Sequence, residues 1–110
     1  MQITELQNFI KERDYNPELK EQYFMKLIEE VGELSEVIRK DKRMNDNDIK
    51  YSIEEELYDV LYYVCALANC YDIDLEKCHK LKSELNKRKW YSNENNNGWY
   101  GWCPYLWEFF

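Results

Sequence analysis

Five acidic residues, arranged as two short sets, are the part of this 110-residue chain best suited to chemistry. The first set is the run Glu29-Glu30-Val31-Gly32-Glu33; the second is Glu56 with Asp59. On an α-helix, residues three apart lie on one face about a turn from each other. Glu30 and Glu33 therefore make one pair of neighbouring carboxylates, and Glu56 and Asp59 another. Two such helices packed side by side would converge four oxygen-rich side chains. Hard oxygen donors without His or Cys suit Mg²⁺, with Mn²⁺ as the other fitting ion.

An ordinary solvated helix face also carries acids, and this chain has 22 of them. Lys26, one turn before Glu30, is placed to draw that residue into a surface salt bridge. The positions argue for more than that. Each pair flanks an apolar stripe instead of lying opposite it, and Asp59 stands between Leu57 and Val60 in the most apolar helix of the chain. Several carboxylates buried together repel strongly unless a cation is present. Basic residues follow downstream: Lys82 and Asn86 one turn apart, then Lys87, Arg88 and Lys89. They can grip phosphate oxygens, although a helix C-terminus favours such charges by its dipole alone.

The elements that must position these groups are helices, because only three Gly and two Pro interrupt the chain. A first helix is expected over roughly Ile3 to Arg13, with Leu6, Phe9 and Ile10 on one face. Asp14-Tyr15-Asn16-Pro17 ends it, and Pro17 is suited to open the next, which runs to about Lys40. The apolar stripe of that second helix is Phe24, Leu27, Ile28, Val31, Leu34 and Ile38. Asp41 to Asp48 reads as a polar loop. A third helix is expected from about Ile49 to Tyr71, with Ile53, Leu57, Val60, Leu61, Val64, Leu67 and Ala68 as its core stripe. Between Val60 and Ala68 it is apolar almost all round, which predicts burial on more than one side. One short chain does that poorly, and a homodimer or homotetramer does it well. Asp74 can cap a fourth helix ending near Trp90. The expected fold is thus an all-α, four-helix chain forming an oligomeric helical bundle. Residues 92–110 add an aromatic tail, with Trp99, Tyr100, Trp102, Tyr105, Trp107, Phe109 and Phe110 crowded at its end. So apolar a segment is expected to dock on the bundle, on a neighbouring subunit or over a ligand cleft.

The formal net charge of -7 argues against non-specific binding of nucleic acid or an anionic membrane. An acidic protein that handles a polyanion needs a metal between them. The longest apolar run, Val60 to Ala68, is too short to cross a bilayer. The segment Met1-Gln2-Ile3-Thr4-Glu5 does not read as a signal peptide. Cys65, Cys70, Cys78 and Cys103 show no CxxC spacing and are expected to be reduced, which with the plain N-terminus points to the cytoplasm.

In order and spacing, these motifs resemble the all-α nucleoside triphosphate pyrophosphohydrolases, the MazG-like superfamily. Its pattern is EExxE on one helix and ExxD on the next, here Glu29-Glu30-Val31-Gly32-Glu33 and Glu56-Leu57-Tyr58-Asp59. The stretch from Lys26 to Glu36 is close to the family's wording. Further matches resemble the dCTP pyrophosphatase branch. Glu12-Arg13-Asp14-Tyr15 looks like a segment of that branch that ends in Trp, and Lys82 to Trp90 is similar to its Lys-x-x-x-Asn and basic ending. Asn16-Pro17 stand where that branch has Phe-His. The resemblance covers about residues 3 to 91, which sets a domain over 1–91 and the tail over 92–110.

The resemblance implies that Glu30, Glu33, Glu56 and Asp59 bind Mg²⁺, with Glu29 orienting water. Either Glu29 or Glu33 would take the proton. Lys82 and Asn86, with Arg88 or Lys89, would contact phosphates; Tyr63 would meet the sugar and Tyr15 the base. The implied reaction is hydrolysis of a (deoxy)nucleoside triphosphate to the monophosphate and pyrophosphate. Two alternatives stand beside it. One is phosphoribosyl-ATP pyrophosphohydrolysis on the same scaffold, and the other is a non-catalytic helical module that binds a partner.

Overall fold

Few residues in this sequence can stop a helix, and the computed structural model contains helices and no β-strand among the described residues. It describes residues 1–95, with side chains through Lys87. The side chains of Arg88 and Lys89, Cys103 and the aromatic cluster of the tail lie outside the described residues. Helix α1 spans Ile3–Arg13, α2 Lys20–Arg39, α3 Ile53–Cys70 and α4 Leu75–Asn95. The chain forms one compact unit from Met1 to Leu75 and a second from Glu76 onward.

Helix boundaries differ from the expected ones where side chains cap the backbone. Pro17 opens a short 3₁₀ turn, Pro17–Leu19, in which the Asn16 side chain accepts from the Glu18 N–H at 3.1 Å. The α-helix proper begins only at Lys20. Helix α3 starts four residues later than periodicity suggested, because Ser52 is its N-cap. Its hydroxyl accepts from the Glu55 N–H at 3.1 Å and donates to the Ile49 carbonyl at 2.6 Å. Helix α4 continues past Trp90 to Asn95, into the stretch read as tail.

In the first unit α2 packs along α3, and α1 lies against α3. The centre is Ile10, Tyr23, Cys65, Ala66 and Cys70, backed by Leu6, Tyr62, Tyr63 and Leu67. Two polar knots lock the layers. Asp14 accepts from the Tyr23 hydroxyl at 2.7 Å and the Tyr62 hydroxyl at 2.8 Å, joining the end of α1 to both long helices. Buried Gln7 donates to Asn69 Oδ1 at 3.0 Å and to the Ile73 carbonyl at 2.8 Å. Asn69 returns a bond to the Gln7 carbonyl at 2.9 Å. Such knots fix register, because a slipped helix would leave their buried groups unpaired. Among the described residues Cys65 and Cys70 are buried free thiols and Cys78 is an exposed one.

The apolar stripes depart from expectation. Phe24, Ile28, Val31 and Ile38 on α2, and Leu57 and Leu61 on α3, are all more than a third exposed. The buried positions of these helices instead include Tyr23, Glu30, Glu56, Cys65 and Asn69. Within one chain α2 and α3 turn their shared polar seam inward and leave an apolar side open.

Candidate functional site

The seam between α2 and α3 brings the predicted acids together. One carboxylate oxygen from each of Glu30, Glu56 and Asp59 lies within 4.8 Å of the other two. Glu30 and Glu56 are buried, at 8% and 5% exposure, and Asp59 is half-buried. Lys26 was the candidate to neutralise Glu30, yet its ammonium sits 3.4 Å from Glu29 and 5.8 Å from the centre of the Tyr63 ring. The reason is geometric: Glu30 turns into the seam while Glu29 stays on the exposed side with Lys26.

The cost of this crowding appears in the proton affinities. Burial, then the Glu30 carboxyl and the charges of Glu33 and Asp59, push Glu56 up to about 8. Burial also raises Glu30, with Glu33 and Asp59 adding to the shift and Glu56 opposing it. Asp59 is raised by burial and by Glu55 and Glu33, against a lowering from Lys26. Meanwhile Oε2 of Glu30 and Oε2 of Glu56 are buried without a hydrogen-bond partner. Buried polar atoms are nearly always satisfied, so two orphaned oxygens on neighbouring carboxylates leave room for a ligand. Their type and number fit a hard divalent cation.

Glu33 is exposed and stands at the rim of this cluster. It lines, with Glu56 and Asp59, an open cavity of about 530 Å³. Tyr63 is half-buried, edge-on to Tyr62 at 5.1 Å, and feels the charges of Glu30 and Asp59. Tyr15 lies under the Lys11 ammonium, 4.9 Å away. Lys82 and Asn86 occur one turn apart on α4, exposed and half-buried respectively, in the second unit.

Sequence reasoning passed over the cavity's other wall. Lys40, Lys42 and Tyr51 line it, together with Glu36, Val37 and Glu55. Read as a connector, the segment after α2 gave no periodic signal. The available clue was Ser52 followed by Glu55, a capping-box spacing that would have ended the loop at Tyr51.

Comparison with known proteins places the chain in a family. A family model described as the MazG nucleotide pyrophosphohydrolase domain matches residues 19–89. Two crystal structures of iMazG from Vibrio DAT 722 superpose with TM-scores of 0.75 and 0.76. They are 62% and 60% identical to this chain and cover 79% and 81% of it, and 99% and 97% of their own chains. The uncharacterized protein YpjD of Bacillus subtilis strain 168 is 36% identical over 86 residues, 67% of this chain and 76% of its own length.

Proposed function

The chain belongs to the MazG nucleotide pyrophosphohydrolase family, and we propose that it hydrolyses a (deoxy)nucleoside triphosphate to the monophosphate and pyrophosphate with Mg²⁺. The observation that supports this most is the pair of orphaned buried oxygens on Glu30 and Glu56 beside Asp59. A structural salt-bridge face would have left neither carboxylate unpartnered. In this reading Glu30, Glu56, Asp59 and Glu33 hold Mg²⁺, and Mn²⁺ suits the same donors. The ion supplies positive charge that neutralises phosphate oxygens and acidifies water.

The protein groups divide the remaining work. Glu33, exposed at the cavity rim, is better placed than Glu29 to accept the proton of the attacking water, because Glu29 is engaged with Lys26. Lys26 keeps Glu29 away from the cluster and adds positive charge beside Asp59. Tyr63 offers a ring edge to the sugar. The family pattern gives the phosphates to Lys82 and Asn86, with Arg88 or Lys89 as the further basic residue. Tyr15 is the residue the family resemblance offers for stacking on the base.

The test is incubation with canonical and modified nucleoside triphosphates, with and without Mg²⁺, separating pyrophosphate from phosphate. Monophosphate plus pyrophosphate in equal amounts, only with the metal, is the expected result. Release of phosphate would overturn it. Turnover of phosphoribosyl-ATP alone would move the reaction to the other substrate on the same scaffold.

The exposed stripe supports a homodimer or a homotetramer. Phe24, Ile28 and Val31 recur at helical spacing on α2, and Leu57, Tyr58 and Leu61 do so on α3; each is at least 39% exposed. Contiguous apolar surface of this kind is what subunit association removes from water. Light scattering at tens of micromolar, a roughly chosen working range above weak-dimer affinities, is expected to give at least twice the chain mass. Ile28→Glu should reduce it to the monomer, and a monomeric wild type would refute the assembly.

A further inference from the structure

The open cavity beside the carboxylates has two unlike sides. Glu33, Glu56 and Asp59 belong to one, and the rim after α2 carries Lys40 and Lys42. Lys40 is engaged, its ammonium 2.8 Å from the Glu36 carboxylate. Lys42, among the described residues, makes no ion pair. Its backbone is nonetheless clamped to both walls. The Lys42 N–H donates to the Val37 carbonyl at 2.9 Å, and its own carbonyl accepts from the Ile53 N–H at 2.7 Å. A cationic side chain with no partner thus springs from a fixed point between the end of α2 and the start of α3.

The rest of the loop is held in place with some strain. Tyr51 adopts φ 58, in the left-handed region. That conformation costs a bulky L-residue about 1–2 kcal/mol. It persists because the Tyr51 N–H donates to the Glu55 carboxylate at 3.1 Å and Ser52 caps α3 immediately after. Arg43 adds a two-pronged contact to Glu54, at 2.8 and 3.0 Å, whose other oxygen accepts from the Met44 N–H at 2.9 Å. Guanidinium and amide together hold the Glu54 carboxyl down at about 2. A connector pinned this often is a wall, and Lys42 stands on its cavity side.

The seam has a direction as well. Lys26 of α2 and Tyr63 of α3 lie on one side of the carboxylates, toward the start of α2 and the end of α3, and Lys42 and Tyr51 belong to the loop that joins the other ends of the two helices. In pyrophosphohydrolysis the bond that breaks joins the α-phosphorus to the pyrophosphate. If the carboxylates mark the position of that bond, nucleoside and pyrophosphate extend from it in opposite directions. The pyrophosphate half is the polyanion and seeks a cation; the nucleoside half suits an aromatic edge.

We propose that Lys42 receives the pyrophosphate half of the substrate, so that the triphosphate lies along the α2–α3 seam with its terminal phosphates toward the 40–52 loop. The inference rests on the pyrophosphohydrolase reading and adds a specificity-determining residue to it. Lys42 would favour triphosphates over diphosphates, which place one phosphate fewer beyond the scissile bond. Its side chain is exposed and packs against no core, so its removal leaves the fold intact.

The experiment is isothermal titration of the full chain with sodium pyrophosphate in excess MgCl₂, which requires no turnover. Lys42→Ala is expected to weaken pyrophosphate binding about tenfold or more, and Lys42→Arg to keep it within about threefold of wild type, since the charge is what matters. Equal affinity of wild type and Lys42→Ala overturns the assignment, and so does a wild type that does not bind pyrophosphate. The two readings fail separately. A wild type that cleaves triphosphates, with pyrophosphate binding indifferent to Lys42, sinks only the inference. A wild type that cleaves no triphosphate sinks the reaction beneath it.

Discussion

Glu56→Gln is expected to melt at a higher temperature than wild type when metal is absent, and to lose about a thousandfold in kcat/KM. The two effects have one cause. Glu56 is 5% exposed and shares its pocket with Glu30 and Asp59. Ionising it there costs desolvation and repulsion at once. Glutamine has nearly the same volume, carries no charge, and can donate its amide N–H to a Glu30 oxygen that is now without a partner. Stability should therefore rise by about 1–2 kcal/mol, the usual gain from relieving one buried misfit at a functional site. Activity depends on the same misfit. Removing one anionic ligand loosens the hold on Mg²⁺, and a thousandfold loss corresponds to about 4 kcal/mol of barrier, within what a catalytic metal provides. Differential scanning fluorimetry with EDTA or MgCl₂, alongside pyrophosphate release, measures both. A variant that is less stable without metal, or that keeps its turnover, would show that the cluster is structural.

How much of this was legible beforehand follows from where each signal sits. The acidic pairs were readable because helical spacing is rigid: once Glu30 and Glu33 share a helix, their common face is fixed, and so is that of Glu56 and Asp59. What spacing could not reveal is depth. Glu30 and Glu33 are equivalent in the sequence, yet one is buried and the other exposed. Only the rotation of α2 against α3 separates the buried carboxylate from the one at the rim. The same rotation decides that Lys26 meets Glu29 and misses Glu30.

Apolar periodicity misled for a related reason. Leu57 and Leu61 fit a core stripe by spacing, but they lie on the side of α3 away from α2's seam. Periodicity marks an apolar face without telling whether the same chain or another covers it. The buried polar knots Gln7–Asn69 and Asp14 with its two tyrosines were invisible, since residues 48 and 62 positions apart leave no local pattern. Lys42 was missed because loops have no period, and its clamp to Val37 and Ile53 exists only in three dimensions.

The metal-free protein should lose stability as pH rises through neutrality. The Glu56 carboxyl rises from an ordinary value of 4.5 to about 8 in the folded chain, and Glu30 and Asp59 shift in the same direction. Between those limits the folded chain binds more protons than the unfolded one. Its stability must then fall as pH rises through that window, and well below the ordinary values, 4.5 for the two Glu and 3.8 for Asp59, the groups are protonated in both states and contribute nothing. Raising pH from 5 to 8 in EDTA is expected to lower the melting temperature by at least about 5 °C, since 1 kcal/mol moves a domain of this size by about 4–8 °C. In the proposed site Mg²⁺ would bind the ionised carboxylates and compete with protons. Its stabilisation should be small at pH 5 and largest at pH 8, reversing the slope. General repulsion in a chain of net charge -7 also weakens the fold as pH rises. Glu56→Gln separates the two causes, because it removes the most shifted group and leaves the surface charge almost unchanged. A flatter profile in that variant locates the slope in the cluster. An identical profile would assign it to the surface, and the buried carboxylates would then lack the strain on which the metal site is argued.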